Sequence, residues 1–147
     1  MESAKLSYAG IAGAVAGVLG LLGAVSKWYA VSVAGGTLTI KGTSDASGKL
    51  ALAMSVALFA FSAAYVLIAD ARIRRSMAAL MIVTAVVLTL AAVWGLTRAD
   101  GASVEMGLWL TGLAGVLGIG AGVLTLKDAP VDEDIVEPDP VNAEAAS

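Results

Sequence analysis

An all-α fold, a four-helix transmembrane bundle, is expected for this chain. Four stretches of about twenty residues carry no charge: residues 8–26, 50–69, 76–97 and 106–126. Each can cross the ~30 Å hydrocarbon core of a bilayer at a helical rise of about 1.5 Å per residue. In hydrocarbon every backbone donor and acceptor must be paired inside the segment, so each stretch is read as a helix. Composition agrees, because 59% of the 147 residues are hydrophobic, more than a small soluble domain can hide from water. Residues 1–127 are read as the four-span membrane domain and residues 128–147 as an acidic, disordered tail.

The first span, residues 8–26, resembles a secretory leader only in the small residues Ala24, Val25 and Ser26. Its apolar run is longer than a usual leader core, and Lys5 is the one basic side chain before it. It is expected to be retained. After it, residues 27–49 form an outer loop. Two β-branched runs, residues 29–33 and 37–41, flank Gly35 and Gly36, a hairpin signal. A two-stranded hairpin is marginal alone in water, so it is expected to lie on Trp28, on the second outer loop or on a partner. Residues 43–48 read as a turn into the second span.

Spans two and three are joined by residues 70–75, where Arg72, Arg74 and Arg75 crowd against the membrane. Together with Lys5 and Lys127 they outnumber, narrowly, the opposite side's Lys27, Lys41, Lys49 and Arg98. The density of the arginines decides the orientation and makes them the topology determinants: both termini are expected in the cytoplasm. Trp28 and Tyr29 end span one, Trp94 ends span three and Trp109 begins span four. All four then fall at the outer interface and are read as aromatic anchors. A second outer loop, residues 98–105, turns at Asp100 and Gly101.

Span four closes the bundle. Eleven of the seventeen glycines lie in spans one and four. Gly10, Gly13, Gly17 and Gly20 recur at threes and fours, and Gly115, Gly118 and Gly122 do the same. Such spacing keeps bare backbone on one helix face, where another helix can approach closely. The simplest packing sets span one on span four; the alternative leaves one groove for a helix of another protein. Beyond Lys127 the chain becomes acidic and proline-punctuated. Seven of its twelve carboxylates lie in residues 128–144, leaving nine basic against five acidic residues elsewhere.

The chain has no cysteine and no histidine. Disulfides, thiolate nucleophiles, Cys/His zinc sites, histidine-ligated haem and a Ser-His-Asp triad are thereby excluded within these residues. Gly118, Gly120 and Gly122 resemble a dinucleotide loop only in spacing, since no strand precedes them. The tail carboxylates lack the spacing and turn glycine of a calcium loop. No ionisable group lies at membrane depth, as a coupled transporter would need. Asp45 and Asp100 on the outer loops are a remote candidate carboxylate pair. No catalytic residue, cofactor, metal, nucleic acid or small-molecule substrate is expected.

The motifs Trp28-Tyr29-Ala30-Val31, Ala71-Arg72-Ile73-Arg74-Arg75 and Val104-Glu105-Met106-Gly107-Leu108-Trp109-Leu110 carry a resemblance. From about residue 9 to 126 the chain resembles the small, uncharacterised four-helix integral membrane proteins common in actinobacteria. The resemblance implies a non-catalytic role, since some proteins of this shape are accessory subunits of envelope or respiratory complexes. The tryptophan-led loop is also similar to that of claudins, whose paired loop cysteines are missing here, so that resemblance is set aside. The expected partners are membrane lipid and a larger membrane protein complex. A small oligomeric transporter or channel is the alternative, and an envelope lipid-binding or stress module, with Trp28, Trp94 and Trp109 on lipid, is the second.

Overall fold

A computed structural model describes residues 8–128. The tail expected beyond residue 128 lies outside the described residues. Four helices carry the fold: α1 (Tyr8–Val25), α2 (Ala46–Leu67), α3 (Ala71–Thr97) and α4 (Met106–Asp128). All four are long and apolar enough to cross a membrane. Each packs on its neighbour in sequence and α4 closes back on α1, giving an up-down-up-down bundle. Leu58 from α2 and Met81 and Leu88 from α3 reach into the centre among alanines such as Ala16, Ala85 and Ala114. Those small residues let the helices close tightly. The outward faces are apolar too: Val15, Leu22, Phe59, Val83, Leu90, Leu113 and Val116 are all exposed. In water such a coat is untenable, and in lipid it is the expected surface.

Helices α2 and α3 begin earlier than the uncharged stretches do, at Ala46 and Ala71. Charge marks where hydrocarbon ends, whereas a helix ends where its backbone is capped. At α3 the Asp70 carboxylate accepts from the amides of Arg72 (2.9 Å) and Ile73 (3.1 Å). The arginine run is therefore the first turn of α3 rather than a loop, and the link shrinks to residues 68–70. Asp70→Ala removes this cap and is expected to cost about 1 kcal/mol, measured by reversible unfolding in mixed micelles. At α2 the residues expected to form a turn instead supply a 3-10 turn, Gly42–Ser44, and then the helix start at Ala46. Gly48 permits this, since a Cβ there would collide with the Gly42 carbonyl.

The loop between α1 and α2 folds as expected into a hairpin, β1 (Lys27–Val33) and β2 (Gly36–Lys41). Its turn is Ala34–Gly35 rather than Gly35–Gly36, because Val33 pairs with Gly36. Gly35 has φ +105°, which a side chain resists. A third strand, β3 (Ser103–Val104), comes from the loop between α3 and α4 and pairs antiparallel with β1, so the order is β2-β1-β3. The Ser103 hydroxyl adds a bond to the Ala30 carbonyl at 3.0 Å. With three strands and a buried base the sheet gains the support a lone hairpin lacks.

Candidate functional site

The glycine grooves are occupied within the chain. A Cβ built on Gly17 would lie 2.8 Å from the Phe59 amide nitrogen and 2.9 Å from its Cα. Gly10 faces Tyr65 and Val66, Gly13 faces Ser62, and Gly20 faces Ser55. The α1 groove thus receives α2. In α4, Gly115 lies on Thr89, Gly118 on Ala85 and Leu58, and Gly122 on Ile82, so that groove receives α3. The two grooves do not meet each other; each receives a neighbouring helix of the same chain. Spans one and four do touch, at Gly23, Gly107 and Thr111, where backbone again approaches backbone. A period of threes and fours fixes which residues share a face, but not which neighbour fills it.

Trp28 and Tyr29 are not lipid-facing anchors. The Trp28 ring is wholly buried, and its Nε1 donates to the Gly23 carbonyl at 2.9 Å. The Tyr29 hydroxyl donates to the Gly95 carbonyl at 2.7 Å. Burial pushes the Tyr29 phenol upward in pKa, with the Asp45 charge adding to the shift and Arg98 opposing it. The two rings meet edge-on, with centroids 6.3 Å apart, and together plug the sheet end of the bundle. Gly42 and Gly95 leave the room for Trp28. Trp94 and Trp109 stay at the surface, 44% and 62% exposed, as interfacial rings would. The Arg98 guanidinium lies 4.6 Å from the Trp94 ring centroid.

At the opposite end Arg74 is drawn over the Tyr65 ring, 4.5 Å from its centroid, while Arg72 and Arg75 are exposed. The Tyr65 hydroxyl donates to the Thr125 carbonyl at 3.2 Å, tying α2 to α4. The buried hydroxyls of Ser55, Ser62, Thr111 and Thr125 all donate to carbonyls of their own helices. None presents a free polar group to the centre of the bundle.

Asp45, a candidate carboxylate partner of Asp100 by sequence, is engaged elsewhere. It accepts from the Ser47 hydroxyl and pairs with Arg98 at 3.4 Å. The Ser47 bond is the main reason its carboxyl is held below the ordinary 3.8; neighbouring amides and Arg98 add to this, and partial burial opposes it. A carboxylate that titrates lower when folded stabilises the fold above its unfolded pKa. That contribution fades as pH falls from 3.8 through the lower folded value. Asp45→Asn is expected to flatten the acid limb of a stability–pH curve below about pH 4.

Two hollows mark the surface of the described residues. One, of about 470 Å³, is an apolar groove between α1 and α2, lined by Val15, Val18, Phe59 and Val66 among others. The other, of about 310 Å³, lies at the base of the sheet and is lined by Val25, Ser26, Lys27, Lys41, Glu105, Met106 and Gly107. In the sequence Lys27, Lys41 and Glu105 stand only as loop charges or span flanks. Nothing in their spacing brings them together; the β1–β2 register joins the two lysines, and the pairing of β3 with β1 brings in Glu105. Comparison with protein families, curated proteins and solved structures found no significant match.

Proposed function

We propose that the chain is a non-catalytic accessory subunit of a larger membrane assembly, of the respiratory or cell-envelope kind, held through the free edge of its outer sheet. The observation that carries this reading is β2, exposed from Gly36 to Thr39 and uncharged until Lys41. Its partner β1 covers one edge only. With the ladder closed on the Val33–Gly36 pair, antiparallel alternation turns the amides and carbonyls of Thr37 and Thr39 outward. Soluble proteins blunt such an edge with charge, proline or a covering loop, because it invites another strand.

The occupant is an extended segment of a different polypeptide. Two copies in one bilayer are related by an axis along the membrane normal. β1 climbs from buried Trp28 to exposed Val33, and β2 descends beside it. Such an axis sets two β2 edges running the same way, with identical residues level. Parallel pairing instead needs a residue whose polar groups face the partner opposite one whose groups face away, so two copies do not fit.

The interior supports a structural rather than a conducting role, since Leu58, Met81, Leu88 and Leu108 fill it and the hydroxyls bond locally. In this proposal the sheet faces the outside of the cell and both termini face the cytoplasm, where the carboxylates of residues 128–144 offer an electrostatic contact. The test is a native gel of gently solubilised membranes from the native host. The intact chain is expected in a large complex, and Thr39→Pro, which removes an edge amide, is expected to release it with the bundle still folded. Migration of the unaltered chain at its own 14.6 kDa, or retention of Thr39→Pro in the complex, contradicts the reading.

A further inference from the structure

The hollow at the base of the sheet carries three charges that nothing in the described chain neutralises. Lys27 and Lys41 sit directly opposite each other in the β1–β2 register. Like charges so placed repel. Among the described residues neither ammonium makes a salt bridge, nor does the carboxylate of Glu105, which lines the same hollow. The backbone around them is pinned. The Gly42 amide donates to the Ser26 carbonyl at 3.1 Å, and the Glu105 amide to the Trp28 carbonyl at 2.8 Å. The charges are therefore held together by the fold rather than by attraction for one another.

The position of the hollow narrows what would fill it. Val25 and Met106, which form part of its wall, are 49% and 73% exposed, on helices whose outer faces are apolar. Trp109, one turn into α4, is exposed beside them. A site with an apolar flank below and charges above lies where hydrocarbon gives way to headgroups. Two ammoniums match a phosphodiester. The remaining carboxylate matches a cation on the same ligand. The volume, about 310 Å³, is ample for such a group.

We propose that this hollow binds the headgroup of a membrane phospholipid that carries a primary ammonium, with Lys27 and Lys41 on the phosphate and Glu105 on the ammonium. The phosphate supplies binding and the ammonium supplies selectivity. A headgroup with glycerol in place of the amine leaves Glu105 unpaired beside a second anion. A trimethylated amine offers Glu105 no N–H donor. The lipid is taken from the leaflet on the sheet side.

The experiment uses the full-length protein reconstituted in vesicles of equal parts phosphatidylethanolamine, phosphatidylglycerol and phosphatidylcholine. The protein is then extracted gently and its retained lipid counted by mass spectrometry. Phosphatidylethanolamine is expected to be enriched over both others. The double variant Lys27→Gln/Lys41→Gln is expected to lower that retention by about tenfold or more, at roughly one interfacial lysine contact each. Glu105→Gln is expected to keep phospholipid but equalise phosphatidylethanolamine and phosphatidylglycerol. Arg98→Gln, at the same end but outside the hollow, is expected to retain lipid as the unaltered chain does, and a thermal melt of each variant confirms folding. Retained lipid in the bulk ratio, or a folded double variant that retains as much as the original, overturns the proposal. So does displacement of the lipid by millimolar inorganic phosphate, which would mark a site for a free anion.

Discussion

Trp28→Ala is expected to cost the folded bundle about 3–5 kcal/mol, the range for truncating a large buried aromatic side chain. The ring is wholly enclosed, so its removal leaves a cavity where α1, the sheet and the 3-10 turn converge. Gly42 and Gly95 are shaped to it and carry no side chain that can fill the space. The Gly23 carbonyl also loses the indole Nε1 donor, 2.9 Å away. Trp28→Phe separates the two effects. It keeps most of the volume and removes the hydrogen bond, for an expected loss of about 1–3 kcal/mol. Trp109→Ala is the counterpart at the surface, 62% exposed, and is expected to stay within about 0.5 kcal/mol. Equilibrium unfolding in mixed micelles, followed by the remaining tryptophans, reads all three. Equal losses for Trp28→Ala and Trp109→Ala would mean that both rings lie in lipid.

Gly17→Leu is expected to drive α1 off α2 and cost more than about 3 kcal/mol, beyond the usual range for overpacking. The reason is the identity of the obstructing atoms. A Cβ at Gly17 meets the amide nitrogen and Cα of Phe59 at 2.8 and 2.9 Å, and neither can rotate aside. Even Gly17→Ala is expected to cost about 1–3 kcal/mol, although alanine is the better helix former by about 1 kcal/mol. Gly120→Ala makes the same chemical change in open space, with nothing within 4 Å of the added carbon. It is expected to leave stability unchanged or raise it by up to about 1 kcal/mol. A shared outcome for Gly17→Ala and Gly120→Ala would mean that α1 and α2 do not meet at Gly17.

The four helices were legible because uncharged runs of membrane length have one backbone solution in lipid. Their starts were less so: Asp70 and Gly48 extend α3 and α2 past the hydrocarbon edge through capping and close approach, which hydropathy does not register. The hairpin was legible from Gly35 and its β-branched flanks. The third strand was not, since Ser103 and Val104 are too short a run to carry a period. The small-residue faces were visible, but their partners were not. Helix spacing places Gly17 and Gly118 on faces and says nothing of which helix lies opposite. Trp28 was misplaced because a tryptophan at a span end fits either the interface or a plug. The glycines that choose between them, Gly42 and Gly95, are distant in sequence. Lys27, Lys41 and Glu105 meet only through strand register, which no local pattern encodes.

The account rests on a chain that crosses the bilayer four times, with the sheet on one side and both ends on the other. The chain has no cysteine, so a single introduced thiol reports its own side unambiguously. Thr37→Cys, on the exposed hairpin, and Ser147→Cys would each be treated in intact cells with a membrane-impermeant maleimide. Labelling at position 37 without permeabilisation, and at position 147 only after it, is the expected result. Labelling of both positions in intact cells, or of neither, would contradict the three crossings that place sheet and terminus on opposite sides. Labelling of 147 alone would reverse the orientation.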